Sequence, residues 1–541
     1  MKDISSTGSF IDFTLENFIY VDKTEYIPKL VKLKRVFISR PRRFGKSLTL
    51  DTIATLFETG VEPYFKGTWI YDKWTEPTYP VLRLNFLNFD KNSIEKFNNK
   101  LNSKITEFAE LNKVTTYKEK EEAEDSIDHL LEQLRLENRQ IVILIDEYDC
   151  QMTANINNET LYKQFQEKIK SFYANIKDKF AIKFLGITGV TRLKDVSIFS
   201  VGSDINDITN ASAYSQMIGF TRDEIKKYYI DYLKLASSYE NNCSVDDVTD
   251  TQLESMLDMM AQNYDGYCFD EDYEKKVFST WSVNKFFQTM IEKKKVQFGE
   301  YWYDNGGLPS ILVNYLKTHE LNIFEYLDKD KFLKVSSDDF KNPTALTTIN
   351  QNVLMCQTGY LTLRSDLNKT STVALGIPNG EIYKALNRLL ANNIFKGNTD
   401  ITDDYGRSLL EVGTVDDIIN LFNSALNSVS YDNYPIVSES SVQNMLKLYL
   451  LGAHQEVLSE VHEAKGRADL VVNTDNRRIV FEFKYAKNEA EAKSKLSEAV
   501  EQIKTRDYGN ILPKKNELIR IATVFNADPK VRAFTENQIV P

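Results

Sequence analysis

Apolar and polar positions along the 541-residue chain follow different periods in different stretches. Residues 36–39 (VFIS) form a short β-branched and aromatic run, and residues 47–57 carry apolar side chains at helical spacing, so the order is strand, loop, helix. Residues 140–149 (QIVILIDEYD) hold a continuous aliphatic run of the kind found in strands buried on both faces of a parallel sheet. Residues 181–192 (AIKFLGITGVTR) read as another sheet strand. From about Gly219 the period becomes helical, as in residues 222–233 and 252–260. Near the C-terminus, residues 439–451 read as an amphipathic helix and residues 457–462 as a strand. Residues 466–472 and 478–484 then form two apolar runs about the Asn- and Asp-rich turn 473–476, a β-hairpin pattern.

Length alone predicts two to four domains, because one hydrophobic core seldom serves so long a chain. Hydrophobic residues make up 42% and charged residues 27%, with a mean hydropathy of -0.39. That composition excludes a disordered or membrane-embedded chain. No apolar run approaches the roughly 20 residues that span a bilayer, and the N-terminus lacks the basic and apolar regions of a secretory signal. A cytoplasmic protein without membrane attachment is expected. Cys150, Cys243, Cys268 and Cys356 are scattered, which argues against a disulfide framework and a structural zinc site. A net charge of -11 opposes broad nonspecific nucleic-acid binding while leaving room for a local basic groove. The acidic run 119–125 reads as a solvated surface.

The chemistry of the first part lies where its strands end. RPRRFGKS (residues 40–47) has the form of a phosphate-binding loop with arginine in place of the leading glycine. Gly45 permits the turn, Lys46 is placed for the β- and γ-phosphates of ATP, and the Ser47 hydroxyl for Mg²⁺. After the aliphatic run, Asp146 is placed for the Mg²⁺ shell and Glu147 to orient or deprotonate a water. Thr188 and Arg192, at the end of the third run, are candidates to sense the γ-phosphate. Any of Arg40, Arg42 and Arg43 can add fork-shaped donors to phosphate oxygens. A P-loop NTPase core with a parallel sheet is expected over 1–220, and a helical lid and connector over 221–430.

Together with YVDKTEYI (20–27), ILIDEYD, ITGVTRL with the following SIFS, IGFTRDEI, YDGYCF (264–269), YWYDNGGLPSILVNYL (301–316) and QTGYLTL (357–363), this loop resembles the AAA-ATPase-like proteins that carry a C-terminal nuclease-like domain. In that family the loop commonly has this form, so the resemblance implies that the missing glycine is the family's own variant.

In the C-terminal hairpin, alternation puts Glu482 and Lys484 on one face, with Asp469 in reach across the neighbouring strand. Two carboxylates suit Mg²⁺, and a hydrated metal ion beside a lysine suits phosphodiester hydrolysis. Asp469 followed by Glu482-x-Lys484, after Gly-Arg-Ala, resembles the PD-(D/E)xK nuclease superfamily, with Ala468 where the superfamily's name has proline. The resemblance implies an α/β restriction-endonuclease-like domain over 431–541. It implies that Asp469 and Glu482 hold metal, that Lys484 orients or activates water, and that Glu439 helps position the metal or the lysine. Gln502 and Tyr508 resemble residues that some of these nucleases use near the site. The expected function is an ATP-binding, ATP-hydrolysing protein with an Mg²⁺-dependent nuclease acting on DNA, with RNA as the lesser option and a homo-oligomer admissible. The alternative is a nucleotide-controlled signalling or defence switch whose nuclease-like domain binds a partner without cleaving. A third option is an ATPase whose nuclease fold is a structural remnant.

Overall fold

The computed structural model describes residues 1–176, 179–193, 204–304, 310–316, 323–343, 345–369, 371–395, 406–453, 455–463, 466–510 and 514–541. SIFS (197–200) and the centre of YWYDNGGLPSILVNYL (305–309) lie outside them. The chain divides into two compact units, Met1–His319 with Phe332–Ile382, and Glu320–Lys331 with Tyr383–Pro541.

In the first unit, β1 (Arg35–Ser39), β2 (Val81–Asn85), β3 (Ile141–Asp146), β4 (Ile182–Gly189) and β5 (Asn206–Asp207) form a sheet of order β2-β3-β4-β1-β5. All neighbouring strands are parallel, as the aliphatic run of residues 140–149 predicts. β1 and β3 are buried along their whole length. Because the strands run the same way, the segments that follow β1, β3 and β4 emerge at one edge, where such sheets bind ligands. The helix Lys46–Thr59 follows the loop, with Gly45 as its N-cap at φ 100°, a left-handed conformation that glycine adopts without strain.

Helices Arg222–Tyr228, Ile230–Asn241, Asp250–Tyr264 and Thr280–Lys293 build a second core in this unit. Leu233, Met256, Met260, Tyr264, Phe286 and Phe287 are fully buried there. Capping boxes at Thr221/Glu224 and Thr249/Gln252 fix two of the helix starts. The N-terminal segment adds Ile19 and Val21 to this core. It also reaches the helix after the phosphate loop, where Phe10 N donates to Asp51 Oδ2 at 2.7 Å. Within the stretch expected to be connector, β6 (Leu333–Ser336), β7 (Thr362–Leu363) and β8 (Thr372–Gly376) pair antiparallel in the order β6-β8-β7. Strands of two to five residues are too short to display a period.

The second unit contains β9 (Glu456–Glu463), β10 (Gly466–Asn473), β11 (Arg477–Ala486), β12 (Glu517–Asn526) and β13 (Ala533–Ile539) in the order β13-β12-β11-β10-β9. β10 and β11 form the expected antiparallel hairpin. β11 and β12 are parallel, and the helix Glu489–Arg506 lies between them in sequence. Val471, Val480 and Ala522 of the sheet share a core with Ala499 and Ile503 of that helix. Phe422 of the helix Val415–Asn427 contacts Phe481 with ring centroids 5.3 Å apart. Each such buried side chain contributes roughly 2 kcal/mol. Among the described residues no helix is long and apolar enough to cross a membrane.

Candidate functional site

In the first unit, the ends of β1, β3 and β4 bring Ser47, Asp146 and Thr188 together. Ser47 Oγ donates to Asp146 Oδ2 at 2.6 Å, and Thr188 Oγ1 donates to Asp146 Oδ1 at 2.6 Å. Asn85 Nδ2, from the end of β2, approaches Oδ2 at 3.4 Å. The carboxylate is thus fixed in orientation beside a hydroxyl, an oxygen pair that suits Mg²⁺. Lys46 Nζ donates to the carbonyls of Arg40 (3.1 Å) and Pro41 (3.2 Å) and lies 3.5 Å from Glu147 Oε1. Glu147 has φ 53°, a left-handed conformation that costs a non-glycine residue of order 1 kcal/mol or more and that clusters at functional sites. Burial pushes its carboxyl above the usual range, with Lys46 pulling the other way. Arg42, Arg43, Gly45, Lys46, Ser47 and Glu147 line a cavity of about 480 Å³.

The three loop arginines do different things. Arg40 is 1% exposed, donates from Nη1 to Thr209 O (2.6 Å) and Ser39 O (2.9 Å), and stacks its guanidinium 4.1 Å over the Phe269 ring. Burial lowers its pKa to about 9, with Asp207 opposing. Arg43 has φ 69° and lies 4.1 Å over Trp281, while its carbonyl accepts from Thr280 Oγ1 at 3.0 Å. The Arg42 carbonyl accepts from Trp302 Nε1 at 3.3 Å. Arg192 is ion-paired to Asp207, and its backbone N–H donates to Gln357 Oε1 at 3.2 Å. Arg40 and Arg192 both border a smaller cavity beside Phe269 and Gln357, apart from the one lined by Lys46 and Ser47.

Residue types alone did not reveal what supports this loop. Phe44 packs edge-on to Tyr267 (4.7 Å) and Phe269 (5.5 Å), so the YDGYCF block clasps the loop from within. Gly359, at φ 94°, lets Pro41 approach, since a Cβ there would stand 2.8 Å from Pro41 Cβ. The YDGYCF and QTGYLTL blocks, which carry the family resemblance, were the available signal, without a chemical reason attached to them.

In the second unit the hairpin register puts Asp469 across from Glu482, since Leu470 pairs with Phe481. Asp469 Oδ2 accepts from the Phe483 N–H at 2.9 Å. Lys484 Nζ is 2.8 Å from Glu482 Oε1 and 3.4 Å from Glu439 Oε1, the latter at the start of the helix Glu439–Gly452. Glu482 is fully buried, and its Oε2 has no hydrogen-bond partner. Burial and the nearby Asp469 raise its pKa to about 7. Burial pulls the Lys484 ammonium down, but Glu482, Glu439 and Asp469 outweigh it and raise its pKa. Gln443, one turn after Glu439, donates from Nε2 to the Asp469 carbonyl. Sequence reasoning missed this residue, which sits on the Glu439 face at i+4.

The donor set fits a divalent cation in chemistry. Three carboxylates face one ammonium, which leaves an excess of negative charge, and one buried carboxylate oxygen is orphaned. Among the described residues no group of three His, Cys, Asp or Glu side chains converges into a cage. Mg²⁺ held here would keep waters and take one or two carboxylates, its usual habit. Tyr508 is fully buried, and its hydroxyl accepts from Arg506 Nη1 at 2.8 Å. Gln502 is half-buried on the helix Glu489–Arg506.

Residues 5–199 match the family described as predicted AAA-ATPase, and residues 437–535 match the PD-(D/E)XK nuclease superfamily. The chain is 26% identical over 530 residues to a protein of Azotobacter chroococcum mcd 1 described as an uncharacterized protein in the vnfD 5'region, covering 95% of this chain and 94% of that one. Among solved structures, the chain is similar to Cdc6p from Pyrobaculum aerophilum at 11% identity, over 68% of this chain and 93% of that one. The TM-score of 0.26 is too low to carry further meaning.

Proposed function

We propose that this chain, an AAA-ATPase-like protein with a C-terminal PD-(D/E)XK nuclease superfamily domain, binds and hydrolyses ATP and cleaves DNA phosphodiester bonds. Nucleotide contacts are assigned to residues 1–220 and cleavage to residues 431–541, with the helical stretch between as lid and connector. The carrying observation is the placement of Lys484 Nζ between Glu482 and Glu439, beside an orphaned buried oxygen of Glu482. A buried carboxylate oxygen left without a partner calls for an explanation, and a bound cation supplies one.

At the nucleotide site, Lys46 exchanges two loop carbonyls for the β- and γ-phosphates, a stronger charge-assisted pairing. Arg42 and Arg43 border the same cavity, and Arg42 reaches phosphate while Arg43 stays stacked on Trp281. Glu147 orients the attacking water, and burial raises its proton affinity, which strengthens it as a general base. Ser47 and Asp146 would hold Mg²⁺, with Thr188 fixing the carboxylate. At the nuclease centre, Asp469 and Glu482 would hold Mg²⁺, and Glu439 positions Lys484. Mg²⁺, when bound in these sites, would supply charge neutralisation and water activation. Lys484 orients the water that attacks phosphorus. The water gives up a proton to solvent as the new P–O bond forms and one ester P–O bond breaks, and the leaving alkoxide takes up a proton from solvent.

The full chain with Mg²⁺ or Mn²⁺ is expected to degrade linear DNA, and equal activity in wild type and Lys484→Ala removes the assignment. The absence of a closed acidic cage among the described residues favours, as second reading, a nucleotide-controlled switch whose nuclease-like domain binds without cleaving. It predicts DNA or partner binding with no metal-dependent cleavage.

A further inference from the structure

We propose that Arg506 is a substrate-binding residue of the nuclease centre, gripping a backbone phosphate of the nucleic acid from a seat made by Gly466 and Tyr508. The proposal rests on the reading of Asp469, Glu482 and Lys484 as a phosphodiester-cleaving centre.

Arg506 is the last residue of the helix Glu489–Arg506. Asp507 then takes the left-handed conformation at φ 50°, which reverses the chain and sends Tyr508 into the core. The Tyr508 ring is buried among Val471, Val480 and Ile503, so its hydroxyl is a fixed point, and it accepts from Arg506 Nη1 at 2.8 Å. That bond uses one of the five N–H donors of the guanidinium fork. The stem of Arg506 lies across the start of β10. A Cβ on Gly466 would stand 2.5 Å from Arg506 Cδ and 3.2 Å from Nε, so a larger residue there would push the arginine stem out of this position.

Gly466, which meets the Arg506 stem, opens β10, the strand that carries Asp469 three residues further on. Tyr508 raises the Arg506 pKa most, and the charges of Glu482 and Asp469 add to the rise, which puts the guanidinium within electrostatic reach of both carboxylates. Arg506 is partly exposed, so a ligand can reach it. A cation at a helix C-terminus has a simpler use in favourable interaction with the helix dipole. That use does not need a buried tyrosine anchor, and Lys504 in the same turn already supplies it. A chain with net charge -11 needs local cations where a polyanion is to approach three carboxylates, and a planar fork matches phosphate oxygens two at a time.

The test uses the full chain and a short fluorescein-labelled duplex. Binding is read by anisotropy across a salt series for Lys484→Ala and for Lys484→Ala with Arg506→Ala, and KM and kcat are read in the otherwise wild-type protein. Arg506→Ala is expected to weaken binding roughly tenfold, to lower the slope of log K against log salt by about one, and to raise KM more than it lowers kcat. Arg506→Lys recovers part of the loss, and Tyr508→Phe shifts KM in the same direction by a smaller factor. Binding within twofold of the parent with an unchanged salt slope overturns the proposal. If the wild type does not cleave yet Arg506→Ala still weakens binding, the cleavage reading fails and the Arg506 contact stands. A wild type that neither binds nor cuts overturns both.

Discussion

The Lys484 ammonium lies 2.8 Å from Oε1 of Glu482, two residues earlier on the same strand, while Oε2 of Glu482 is buried with no partner. A carboxylate held in this way is half satisfied. It destabilises the metal-free protein when ionised, and it is poised to accept a cation.

The cost has a pH signature. The Glu482 pKa is raised to about 7 from an ordinary 4.5, so the folded state binds this proton more tightly than the unfolded one. The resulting stabilisation is fully present below pH 4.5 and is lost as pH rises to about 7, by at most about 3 kcal/mol. Glu482→Gln, neutral throughout, should therefore gain on the wild type between pH 5 and pH 7.5 in EDTA. Melting curves of the full chain check this, and a pH-independent difference contradicts it.

Arg40 and Arg42 should separate cleanly. Arg40 is a buried strut bonded to Thr209 and stacked on Phe269, so Arg40→Ala should cost about 2–4 kcal/mol and lower the melting temperature. Arg42 borders the nucleotide cavity, and Arg42→Ala should leave melting unchanged while weakening ATP binding several-fold. Calorimetric titration with ATP alongside the melts would show the reverse if Arg40 were the phosphate ligand.

Lys46→Ala should lose ATP affinity by at least about tenfold. Removing the ammonium also leaves Glu147 close to Asp146 and Asp149 without its stronger cation, with Arg42 the weaker one remaining, which raises the Glu147 carboxyl further. An unchanged affinity in equilibrium titration would refute the site.

Glu147→Gln should bind ATP as the wild type does and hydrolyse it about 10²–10⁴-fold more slowly. Phosphate release under saturating ATP measures this, and full turnover in the variant would move the base elsewhere.

Much of this was legible in the chain. The apolar run before the phosphate loop, the continuous aliphatic run ending in Asp146 and the alternating C-terminal hairpin are plain in the residues, and the fold brings Ser47 to Asp146 and Asp469 opposite Glu482. What the residues could not tell was direction. The three arginines of RPRRFGKS are chemically alike, and only packing against Phe269 and Trp281 sorts them into strut, cavity lining and stacked neighbour. Gln443 was silent because its amide serves a backbone carbonyl, and a glutamine on an amphipathic helix has no distinguishing pattern. The short strands β6 to β8 had too few residues to show alternation.

The most direct measurement is digestion of linear DNA by the purified full chain in Mg²⁺ or Mn²⁺, with and without ATP, beside Lys484→Ala. The geometry around Lys484 and Glu482 predicts metal-dependent loss of full-length DNA in the wild type and at least about 10²-fold less in the variant. Equal degradation by both proteins, or none by the wild type with either metal, contradicts the account.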